Sequence, residues 1–129
     1  MLMALVAMVQ ATQVSELKCD TWLSQRDMNT CASADFQRAD AALNAQWKNT
    51  VARVKRIDAD FDRSRDKRPG NYDTLLAAQR AWLTYRDQHC ASEGYTMRGG
   101  SAERMMINQC MARLTEARTA QLKDLIEEY

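Results

Sequence analysis

Residues 24–61 read SQRDMNTCASADFQRADAALNAQWKNTVARVKRIDADF, with no proline and no glycine anywhere in the stretch. Met28, Ala32, Phe36, Ala39, Leu43, Trp47, Val54, Ile57 and Phe61 recur along it at spacings of three, four and seven. That period collects apolar side chains on one face of a helix, so the stretch predicts a single long amphipathic helix. Ser24 or Asp27 can cap its start by accepting from a backbone N–H that has no partner within the helix.

Beyond it, residues 58–68 mix acids and bases almost evenly, which reads as a solvated helix end. Pro69-Gly70-Asn71 then breaks the pattern, because proline disfavours helical conformation in the residue before it and glycine turns freely. A second helix is expected over residues 72–92, with Leu75, Leu76, Gln79, Trp82, Leu83, Arg86 and Cys90 along one side. Residues 94–101, GYTMRGGS, form a loop, and Ser101 is placed to cap a third helix whose stripe is Ile107, Cys110, Leu114, Ala117, Leu122 and Leu125. The expected fold is all-α: an antiparallel three-helix bundle with short connections.

The bulk properties agree. A chain of 129 residues has room for one core, and four glycines with one proline argue against an all-β architecture. A formal net charge of +1 supplies no broad field for nucleic acid or an anionic membrane. Leu2 to Val9 is an uninterrupted apolar run, too short to span a bilayer, followed by residues suited to signal peptidase. Residues 1–11 are therefore expected to be a signal peptide, truncated because no basic residue precedes the run, and residues 12–129 the helical domain. Glu16-Leu17-Lys18 before Cys19 do not suit lipid attachment, so no membrane anchor is expected.

Four cysteines, Cys19, Cys31, Cys90 and Cys110, behind an export signal read as two disulfides formed in an oxidising compartment, the periplasm or outside the cell. Four thiols allow three pairings. The favoured one joins Cys19 to Cys31 and Cys90 to Cys110, since a helical hairpin across the 94–101 turn brings the latter two together. In the chain-entropy account each link adds ~3 kcal/mol by restricting the unfolded chain.

Sites for chemistry are sparse. His89, the only histidine, adjoins Cys90, and Met97, Met105, Met106 and Met111 follow, a set of soft donors that suits copper(I). The spacings are not those of a ligand motif, and methionines at helical spacing more often fill core gaps, so no metal or cofactor is expected. No nucleophile motif or phosphate-cradling loop occurs, and the helical carboxylates read as solvated charges, so the chain is not expected to be an enzyme.

An ordered set of short blocks carries a resemblance. Met28-Asn29-Thr30-Cys31-Ala32 with Phe36, Ala39-Asp40 and Leu43-Asn44 forms the first. Ala78-Gln79-Arg80-Ala81-Trp82-Leu83 with Tyr85-Arg86-Asp87 and Cys90 forms the second. Gly99-Gly100-Ser101, Cys110, Leu114-Thr115 and Arg118 complete it. Over residues 19–125 the chain resembles the lysozyme inhibitor LprI-like domain family of small exported bacterial proteins. The resemblance implies a helical, disulfide-bearing protein of the cell envelope whose partner is a lysozyme. Asp40, Asn44, Arg80, Arg86, Asp87 and Arg118 lie beside apolar positions and read as residues that fix helix register.

Two readings of function follow. In the first, an exported binding protein occludes the cleft of a lysozyme, whose chemistry runs on two carboxylates. The 94–101 loop is the candidate wedge, with Tyr95 as aromatic anchor, Arg98 as charge-assisted donor and Ser101 as neutral donor. In the second, the chain is a general periplasmic interaction or stress-tolerance module with no lysozyme target, recruiting a protein or wall fragment on an exposed face of the first helix. Copper binding is a minor third.

Overall fold

The computed structural model describes residues 18–129, and the expected signal segment lies outside them. The described chain is α1 (Gln25–Asp60), α2 (Asn71–Gly94), a 3-10 turn at Tyr95–Met97 and α3 (Glu103–Glu127), with no strand among the described residues. It is the all-α bundle that the periodicity predicts.

The long helix begins where its cap requires. Ser24 is extended, and its Oγ accepts from the Asp27 N–H at 3.2 Å, one of the N–H groups the first turn leaves unpaired. At 36 residues α1 is about 54 Å long at 1.5 Å per residue. The segment that follows folds on its own acids: Asp62 accepts from the Ser64 N–H and Asp66 from the Arg68 N–H.

Gly70 stands at the N-cap of α2 with no side chain to offer. Asp58, in the last turn of α1, does the capping instead. Its two oxygens accept from the Asn71 and Tyr72 N–H groups, each at 2.8 Å. A Cβ on Gly70 would lie 3.2 Å from Asp58 Oδ2, so the absent side chain lets the carboxylate approach.

Chain direction alternates, so α1 and α3 run parallel and α2 runs against both. The α1–α3 register holds along the bundle. Asn29 bonds to Ser101 and Thr50 to Leu122 at the same offset of 72 residues, and Arg53 to Tyr129 and Gln25 to Met105 at offsets of 76 and 80. These two share the largest interface, and α2 packs on α3 more than on α1.

The core changes character along the bundle. Near the 61–70 turn it is aliphatic: Leu43, Val54, Leu75 and Leu122 are buried, with Trp47, Tyr72, Trp82 and Ile126 packed against them. Near the 94–101 end it is small and sulfur-rich, built from Ala32, Ala112 and the Cys90–Cys110 link, both of whose cysteines are fully buried. Between them lies a polar layer. The Arg86 guanidinium sits 5.3 Å from the Phe36 ring centroid and 5.2 Å from that of Trp82, and it donates to Thr115 Oγ1 at 3.3 Å and to Asp87 Oδ1 at 3.0 Å. Arg118 donates to Gln79 Oε1 at 2.9 Å, and burial lowers its pKa below the ordinary arginine value. Among the described residues, no buried side-chain polar atom lacks a partner.

The inward faces differ from the apolar stripes in places. Phe61, Leu83 and Leu125 are exposed, because the buried face of α2 is a narrow one of Leu75, Gln79, Arg86 and Cys90. On α3 the buried face turns toward Ala112 and Thr115 and away from Ala117. Small residues let α1 approach closely there, and the Thr115 hydroxyl is tolerated inside because Arg86 donates to it. Thr50 is buried on the same terms, donating to the Leu122 carbonyl at 2.9 Å.

Candidate functional site

Three chain segments meet at one end of the bundle: the entry to α1, the 94–101 loop and the entry to α3. The Cys19–Cys31 disulfide, with Cα atoms 5.8 Å apart, folds the entry segment back on α1. The Cys90–Cys110 disulfide, at 5.4 Å, ties the last turns of α2 to α3 below the loop.

The loop is braced mainly through its backbone and its small residues. Gly94 is buried so tightly that a Cβ there would come within 2.5 Å of Ile107 Cγ1. The Arg98 N–H donates to the Tyr95 carbonyl at 3.1 Å and the Gly100 N–H to that of Met97 at 2.9 Å. Gly99 takes φ +77°, a left-handed conformation that glycine adopts without penalty, and its N–H donates to Glu103 at 2.9 Å. The Thr96 hydroxyl lies 3.0 Å from the Glu93 carbonyl oxygen and 3.3 Å from Met106 Sδ, and Arg113 Nη2 on α3 donates to both oxygens of the Glu93 carboxylate at 2.7 and 2.9 Å. From α1, Asn29 Nδ2 reaches the Ser101 carbonyl at 3.1 Å.

The side chains left facing out are large. Tyr95 is 53% and Met97 44% exposed, and the Arg98 guanidinium lies 4.3 Å over the Tyr95 ring. Tyr95 and Arg98 thus form one stacked unit, with guanidinium N–H groups still able to donate. Ser101 is exposed but does not cap α3: that position falls to Ala102, which has no hydroxyl, and Ser101 is engaged through its carbonyl. Trp22, between the cysteines of the first disulfide, is fully exposed at the same end.

The soft-metal set comes together only in part. His89, Glu93 and Cys110 place donor atoms within 4.8 Å of one another, but the Cys110 sulfur is bonded to Cys90 and has no thiolate to give. His89 stacks on Tyr85 at 5.3 Å between centroids, and Met105 and Met106 accept hydrogen bonds from Gln25 and Thr96. These donors do not fit a copper site.

Of the polar residues in the sequence blocks, Arg86 is buried and reaches the partly exposed Asp40 and Asp87 at the rim of the polar layer, and Arg118 reaches Gln79, while Asn44 and Arg80 stay exposed. The periodicity does not single out Trp22, Arg104 or Asn108, all of which stand at the loop end. A tryptophan enclosed between two cysteines was the one available sign of the first.

Comparison with known proteins gives this end of the molecule a context. A family model described as Lysozyme inhibitor LprI matches residues 18–122. The chain belongs to the LprI family. The matched span takes in both disulfides, the polar layer and the whole loop end, and the family is described by inhibition of an enzyme. A similar protein, an uncharacterized protein of Rhizobium meliloti (strain 1021), is 41% identical over 115 residues, 89% of this chain and 83% of its own length. No solved structure matches the chain. No helix among the described residues is long and apolar enough to cross a membrane, and the paired cysteines of this family member fit a compartment outside the cytosol.

Proposed function

We infer that this chain is an exported envelope protein, in the periplasm or secreted, that inhibits a lysozyme by seating its 94–101 loop in the enzyme's cleft. Besides family membership, one observation carries the reading. The bonds that brace the loop end run to the loop's own backbone and to α3, and the stacked Tyr95–Arg98 side chains are left exposed. A cleft that works through two carboxylates is a groove with negative charge at its centre. An aromatic plate carrying a guanidinium suits it, because the ring covers the groove's apolar walls while the N–H groups donate to a carboxylate. Stacking and bracing also reduce the freedom lost on binding, which favours affinity without further contacts.

The test is a bacterial lysis assay with purified lysozyme and an excess of the oxidised protein. Lysis should slow in proportion to added protein, and the double substitution Tyr95→Ala with Arg98→Ala should weaken inhibition about a hundredfold, as loss of an anchor and a charged donor implies. Full lysis at excess protein would remove the lysozyme reading. Inhibition that survives the double substitution would move the contact elsewhere, with Trp22 the next residue to replace.

A further inference from the structure

A polar groove lies beside the loop, between α1 and α3. Two hollows make it, of about 310 and 480 Å³, and they share Asn29 and Arg104. In the first, Ser33 and Gln37 on α1 share the lining with Arg104 and Asn108 on α3, each pair four residues apart on its helix. The parallel register of the two helices brings these pairs alongside each other as two polar rungs.

Asn29 is already committed, accepting from Gln25 and donating to the Ser101 carbonyl. The rungs are not. Arg104 and Asn108 have no side-chain hydrogen bond or ion pair among the described residues, and Gln37 uses only its N–H₂, toward Ser33. The carboxylate on the lining, Glu103, is turned to the loop, where it accepts from Gly99. What remains is one guanidinium fork, two amides and a hydroxyl over a floor at Ala34.

We propose that this groove binds a carboxylated, N-acetylated glycan of the bacterial wall type. The Arg104 fork matches a carboxylate through two parallel hydrogen bonds. Asn108 and Gln37 both donate and accept, as sugar hydroxyls and an acetamido group require, and Ala34 offers an acetyl methyl its apolar contact. The volumes suit one or two sugar rings. The site needs no lysozyme. It rests on the groove and on the extracytoplasmic location, so the chain would hold wall glycan whether or not its loop blocks an enzyme.

The experiment is calorimetric titration of the oxidised full chain with the disaccharide of N-acetylglucosamine and N-acetylmuramic acid, beside di-N-acetylchitobiose, which lacks the carboxylate. The charged disaccharide should bind saturably and about tenfold more tightly than the neutral one, the factor expected for a charge-assisted pair. Arg104→Ala should abolish that preference, whereas Arg26→Ala, an exposed cation outside the groove, should leave it intact. Asn108→Ala should weaken both sugars about threefold. Arg104 is exposed and unpaired, so its variant should melt with the parent. Equal binding of the two sugars, no saturable binding of the charged one, or equal effects of Arg104→Ala and Arg26→Ala would overturn the proposal. Lysozyme inhibition by Arg104→Ala, assayed in parallel, reports on the loop separately.

Discussion

Gly94 and Ile107 touch where the last turn of α2 meets α3, and no side chain fits between them: an added Cβ would stand 2.5 Å from Ile107 Cγ1 and 3.1 Å from Cδ1. This contact sets how closely the two helices approach under the loop. Gly94→Ala should destabilise the fold by about 1–3 kcal/mol, as overpacking of a close contact does. Adding Ile107→Ala should recover part of that loss by opening the space. Urea denaturation of the three variants checks both statements.

Arg86 is buried, but its acidic neighbours are not: Asp87 and Asp40 keep about half of their side chains in water. Removing the guanidinium therefore strands little negative charge. What is lost is packing between Phe36 and Trp82 and the donor to Thr115. Arg86→Ala should lower stability by about 2–4 kcal/mol, while Arg86→Met, which keeps much of the volume, should lower it by less. An equal loss in both variants, read by denaturant unfolding, would assign the role to charge alone.

The two disulfides differ in access. Cys90 and Cys110 are fully buried, whereas Cys19 is exposed. Exchange needs a thiolate to reach a sulfur, so mild reductant should open Cys19–Cys31 first and leave Cys90–Cys110 intact until the bundle unfolds. Mass spectrometry after timed alkylation would show a two-thiol species accumulating before a four-thiol one. Replacing Cys90 and Cys110 together by serine should lower stability by about 3 kcal/mol and raise hydrogen exchange in the loop.

Asp66 has its pKa lowered to about 2, first by side-chain hydrogen bonding to Arg68, then by the Arg68 backbone N–H. A carboxyl group with a depressed folded pKa adds stability above its unfolded value, near 4, and loses it as pH falls toward 2. The contribution is small because the Asp66–Arg68 pair lies at the surface, where solvent screens it. NMR titration should find the midpoint near 2 in the parent, and Arg68→Ala should move it up toward the ordinary range.

Legibility in the sequence followed the physical range of each interaction. Ser24 as a cap, the break at Pro69-Gly70 and the extent of α1 are matters of neighbouring residues, and they appear as the pattern predicts. Ser101 as a cap does not: the helix starts one residue later with Ala102 at its cap position, and Ser101 is engaged by Asn29 through its carbonyl. The apolar stripe on α3 pointed to Ala117, yet Thr115 went inside, since a hydroxyl becomes an inward residue only when a partner such as Arg86 faces it. Tyr95 and Arg98 were legible as loop residues, but their stacking into one unit was not.

The sequence by itself determined the number and lengths of the helices, the place of the turns, and the family, because period, breakers and short ordered blocks are properties of the chain alone. Only the tertiary structure decided that α1 and α3 run side by side in a register that holds along the bundle, and hence that Asn29 meets Ser101 and that Ser33 and Gln37 share a groove with Arg104 and Asn108. Those pairs are separated by about seventy residues of chain. Which of many distant side chains become neighbours is settled by packing three faces at once, and no local pattern encodes that.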